Sequence, residues 1–128
     1  MFDIIISADI ANEIMAQYRS KFINPDYEQW NSRFNCKNLP WCNYKEYKTY
    51  DTDEIYRVPI VHDTIVYCHD ERKGILYQTT FHEVYNLVIN LEPWDEIDIE
   101  VFCDNMDWSI AVTHEDYMIL CGIDLMGA

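Results

Sequence analysis

The side chains of this chain that can do chemistry are its four histidines, five cysteines and 23 acidic residues. His114-Glu115 is the sharpest pair, because an imidazole beside a carboxylate has the residue types that move a proton. It is not the helical zinc motif H-E-x-x-H, since Met118 stands where the second histidine would be. Cys68-His69-Asp70 offers the residue types of a nucleophile relay. Catalytic triads are assembled in space, however, and neighbours on a strand point to opposite faces. Cys36 and Cys42 lack the short spacing of a zinc knuckle, so a metal cluster would need Cys36, Cys42, His62, Cys68 and His114 from distant places. Cys103 or Cys121 would meet His114 only in a favourable register. No phosphate-binding glycine loop or nucleotide fingerprint occurs. The plainer reading of these residues is buried thiols acting as small hydrophobes and a rim histidine bonded to a loop. The expectation is therefore no catalytic residue, no metal and no cofactor. A small metal- or thiol-dependent enzyme using His114 and Glu115 is the reading from a different class.

What the residue types favour instead is a charged surface. Nine Lys and Arg face 23 Asp and Glu, a net charge of −14. No base follows Lys73, whereas eleven acids do. A field of that sign repels nucleic acid and anionic lipid and attracts basic proteins. The acids of the back half gather in sequence as Asp95, Glu96, Asp98, Glu100, Asp104, Asp107, Glu115 and Asp116, with Trp94, Trp108 and Tyr117 among them. Aromatic anchors inside a polar rim are the composition of a protein-binding face. Asp95, Glu96, Asp98, Glu100, Asp104, Asp107, Trp108, Glu115, Asp116 and Tyr117 are the expected partner-binding residues. The competing reading puts Trp108 in the core and leaves the acids as a solvated surface.

The elements that must position these residues follow from periodicity. At 128 residues, with 49% hydrophobic and 15% aromatic residues, the chain has the size and core of one domain over 1–128. Phe2 to Ile6 reads as an edge strand or the lead-in to a helix. Ile10, Ala11, Ile14, Met15, Tyr18 and Phe22 recur at helical spacing, predicting a helix over 8–22 with Ser7 at its N-cap. Residues 26–50 read as a long aromatic loop with a short helix at 42–49, and Ile55 to Val61 as a strand interrupted by Pro59. Thr64 to His69 and Gly74 to Thr79 flank a charged turn and predict a hairpin. Thr79 or Thr80 caps a helix from Phe81 to about Leu91. Between Ile97 and Cys121, alternation of period two predicts three antiparallel strands joined by turns at 104–107 and 115–116. The sum is an α+β fold, a mostly antiparallel sheet with the N-terminal helix and a second helix packed on one face. An odd cysteine count, no basic apolar leader and no long apolar run point to the cytoplasm. The sequence leaves the oligomeric state open.

Residues 94–117 carry a resemblance. The pattern W-x5-E-V-F-C-x3-D-W-S-I-A-V-T-H-E-D-Y, with Trp94, Asp107, Trp108, Thr113, His114 and Glu115, is similar to the ending of small acidic immunity proteins of bacterial polymorphic toxin systems. That resemblance implies a cytoplasmic protein that blocks a toxin domain, often a basic nuclease, without chemistry of its own. The charge leads to the same expectation, a binding inhibitor of a basic toxin or nucleic-acid-binding enzyme with no direct contact to nucleic acid or membrane. The alternative is a phage-encoded anti-defence (anti-CRISPR-like) inhibitor that imitates nucleic-acid charge.

Overall fold

The computed structural model describes residues 1–24 and 44–127. The elements run β1 (Ile4–Ile5), α1 (Ala8–Phe22), β2 (Lys48–Asp51), a 3-10 helix (Thr52–Arg57), β3 (Ile65–Asp70), β4 (Ile75–Thr80), α2 (Phe81–Ile89), β5 (Ile99–Phe102), β6 (Ser109–Val112) and β7 (Tyr117–Cys121). The strands form one antiparallel seven-stranded sheet in the order β1-β4-β3-β5-β6-β7-β2.

The α+β class expected from the sequence is the one that forms. Its helices, however, lie one on each face of the sheet rather than together. The reason is visible in β5 to β7, which are apolar in both directions. Ile99, Val101, Ile110, Val112, Met118 and Leu120 pack under α2 and the 3-10 helix. Phe102, Ala111, Ile119 and Cys121 pack under α1. A strand buried on both faces needs a cover on both. From α1, Met15, Tyr18 and Phe22 supply one cover. From α2, Phe81, Val84 and Val88 supply the other, each burial worth about 1.5–3 kcal/mol.

Local chemistry sets the boundaries. Thr80 caps α2 by accepting from the Glu83 amide at 3.3 Å. Ser7 occupies the N-cap position of α1, yet its hydroxyl makes no capping bond. The β3–β4 turn is held by Asp70, whose Oδ1 accepts from the amides of Arg72 at 3.1 Å and Lys73 at 3.2 Å.

Two expectations for the middle of the chain are corrected. Lys48–Asp51 is not helical but an edge strand, pairing with β7 from Lys48↔Leu120 to Asp51↔Tyr117. Its alternation is short and mostly exposed, so only the partner strand specifies it. Thr52–Arg57 forms the 3-10 helix where a strand from Ile55 was expected, and it turns Ile55 into the core. The readings of Cys36 and Cys42, and of the aromatic loop over its first part, 26–43, fall outside the described residues.

Candidate functional site

Strand register sorts the acids of the back half. Asp70↔Ile99 and Ile99↔Val112 bring the β3–β4 turn, residues 95–98 and the β6–β7 turn to one end of the sheet. Asp51↔Tyr117 adds the end of β2 and the start of the 3-10 helix to that end. Phe102↔Ser109 sends the β5–β6 turn to the other end. Asp95, Glu96, Glu115 and Asp116 are therefore exposed at one end, and Asp104 and Asp107 are exposed at the opposite one. One continuous patch does not hold them all.

Asp98 and Glu100 are not surface carboxylates. Asp98 is 5% exposed and joins two turns. It accepts from Arg72 Nε at 2.8 Å, from the His114 amide at 2.9 Å and from His114 Nδ1 at 2.8 Å. His114 is thus a rim histidine tied to a carboxylate, with Glu115 Oε1 at 4.0 Å from its Nε2. Arg72 also pairs with Glu96 at 3.3 Å. Tyr117 is half-buried, and Trp108 packs against the α2-side core, as the competing reading had it.

Glu100 is wholly buried under α1. It stands opposite His69 across the β3–β5 pair, and His69 Nδ1 lies 2.8 Å from its Oε1. A carboxylate only accepts, so the proton is on Nδ1. Tyr44 Oη donates to Oε2 at 3.2 Å. That proton is then spent, so Tyr44 accepts from Tyr18 Oη at 3.2 Å, and Tyr18 accepts from Ser109 Oγ at 2.6 Å. Three hydroxyls form a relay in which every dipole points at Glu100, an arrangement that strengthens each bond in a low-dielectric interior. Burial first, and then the Glu100 charge, push the Tyr18 phenol well above its usual range, so it keeps its proton. Ser109 and Ala111 are the α1-side residues of β6, and their small side chains leave room for the tyrosine rings.

Among the described residues, one group of three converges like metal ligands. His69 Nδ1 and carboxylate oxygens of Glu71 and Glu100 lie within 4.8 Å of one another. A divalent cation would fit those donors by type. The dispersed set of His62, Cys68 and His114 is not brought together in that way. His62 instead meets His82, with their Nδ1 atoms 3.2 Å apart. Cys68, Cys103 and Cys121 are buried free thiols. Burial pushes the Cys68 thiol far up and the Cys121 thiol up to about 12, which removes the thiolate that nucleophilic chemistry needs.

The open feature at the acid-rich end is a groove of about 510 Å³ between the 3-10 helix and α2. Ile55 and Val88 form its floor, Tyr56, Tyr85, Ile89 and Leu91 its walls, and Asp53, Glu92, Asp95 and Asp116 its rim. The hydrogen bond from the Thr52 amide to the Asp116 carbonyl, 3.0 Å, ties one wall to the β6–β7 turn. Trp94, 75% exposed, projects from the same 91–95 loop. Asp95 and Asp116 were expected at a binding face. Asp53, Tyr56, Tyr85 and Glu92 were not, because only the non-local pairing of β2 with β7 carries the 3-10 helix to this end.

No protein-family model matches the sequence, and no curated protein or solved structure matches the chain. No helix among the described residues is long and apolar enough to cross a membrane.

Proposed function

We propose that this chain is a small acidic binding protein that inhibits a basic partner, such as a toxin nuclease, by covering the cationic surface the partner uses for nucleic acid. The observation that carries this reading is the charge distribution: eleven acids and no Lys or Arg after Lys73. Seven of those acids, Glu92, Asp95, Glu96, Asp104, Asp107, Glu115 and Asp116, are exposed in the loops and turns around the sheet ends. Carboxylates so placed meet Lys and Arg without first breaking the core. The Cys68 and Cys121 thiols, held protonated by burial, favour binding over chemistry. The likeness of residues 94–117 to immunity proteins gives the partner class its name.

The test is a panel of purified basic nuclease toxin domains, each titrated with this protein while nuclease activity and binding are followed. The expected result is stoichiometric inhibition of at least one domain, weakened by added salt as exposed charge pairs are screened. Absence of binding across the panel at low ionic strength, with a net charge of −14 available, contradicts the reading.

A further inference from the structure

The proposal above concerns charge over a whole molecule. The groove between the 3-10 helix and α2 makes it specific. Four exposed carboxylates, Asp53, Glu92, Asp95 and Asp116, surround an apolar floor, and among the described residues no Lys or Arg lines it. The nearest cation of the 3-10 helix, Arg57, is engaged by Glu54 at 2.7 Å and by the Met126 carbonyl at 3.0 Å. Helix α2 ends at this groove with no basic residue in its last turn. The Asn90 amide side chain donates to the Asn86 carbonyl at 2.8 Å, and this negative dipole end carries no positive charge of its own. Tyr56 is 65% exposed and Ile89 52% exposed, an aromatic and an aliphatic surface beside the carboxylates.

This combination selects its occupant. An isolated ammonium or a metal ion would use the acids and leave the apolar walls wet. A purely apolar helix would bury the rim carboxylates without a counter-charge, which is strongly unfavourable. An arginine uses both parts. Its aliphatic stem lies on Leu91 and Ile89, its planar guanidinium stacks on a tyrosine, and its donors reach a carboxylate in a fork. The cavity volume of about 510 Å³ accommodates a few side chains rather than one.

We infer that the groove between the 3-10 helix and α2 is the docking site for an arginine-bearing amphipathic segment of a protein partner. This inference rests on the basic-partner reading and adds the place of contact and the chemistry of the contacting segment.

The probe is a short synthetic peptide of alternating arginine and leucine, titrated against the full chain by calorimetry. Two double variants remove the same charge from opposite ends of the sheet: Asp53→Asn with Glu92→Gln, and Asp104→Asn with Asp107→Asn. The expected result is a loss of roughly tenfold in affinity for the first pair and little change for the second. Tyr56→Ala, which alters no charge, lowers affinity as well, and its circular dichroism matches that of the parent because the ring is exposed. Equal losses in the two charge pairs overturn the groove and leave the basic-partner reading standing. So does a peptide that fails to bind while whole basic nuclease domains bind. If neither peptide nor basic domains bind, the groove and the basic-partner reading fail together.

Discussion

Glu100 is the residue on which the α1 side of the core is centred. A buried carboxylate is tolerable only with its partners present, and the relay from Ser109 through Tyr18 and Tyr44, together with His69, supplies them. Removing the acceptor takes away the 2.8 Å partner of His69 Nδ1 and the group to which the Tyr44 phenol donates. Glu100→Ala is expected to cost about 3–5 kcal/mol in urea unfolding. Tyr18→Phe interrupts the relay but keeps the ring, and is expected to cost only about 1 kcal/mol. Equal costs for the two would show that ring packing, rather than the charge, dominates this side. None of this was legible in the sequence. Glu100 alternates with Ile99 and Val101 as a surface acid would, and only the cross-strand partner His69 and the cover from Tyr18 make it internal.

At the scale of elements, the segments with a strong local signal formed as expected and the non-local ones did not. The helix over Ala8–Phe22, the β3–β4 hairpin and the three strands between Ile99 and Cys121 each carry their own period or turn chemistry. Strand β2 has no such signal and is held by what lies far along the chain. Lys48 and Tyr50 both bond to Asp124, and the Arg57 guanidinium bonds to the Met126 carbonyl. These latches bind the edge strand and the 3-10 helix, and with them one wall of the groove, to the C-terminal segment. The bonds from Lys48, Tyr50 and the Leu125 amide hold the Asp124 carboxyl down at about 2, below its usual value of 3.8. A depressed carboxylate contributes stability above its unfolded pKa, and that contribution is lost as pH falls through the folded value. Asp124→Asn is therefore expected to melt below the parent at pH 6, with the gap closing between about pH 4 and 2. A gap that persists unchanged at pH 2 would mean the latch is not ionic.

For the whole molecule, the feature that sequence composition made plain is its field, and what composition left open is where the field is concentrated. Burial takes Asp98 and Glu100 out of the surface, Arg72 draws off Glu96, and the sheet register splits the remainder between two ends. The account predicts an association that is fast because of net charge and selective because of one end. Net charge acts mainly on the encounter, and the groove, including the carboxylates that pair with the docked segment, on the lifetime of the complex. The most direct measurement is stopped-flow association with a basic nuclease domain from the panel across a range of ionic strength, for the parent chain and the Asp53→Asn, Glu92→Gln variant. The account predicts a rate constant that falls steeply with salt for both proteins, and a dissociation rate that rises in the variant. An association rate indifferent to salt would contradict it.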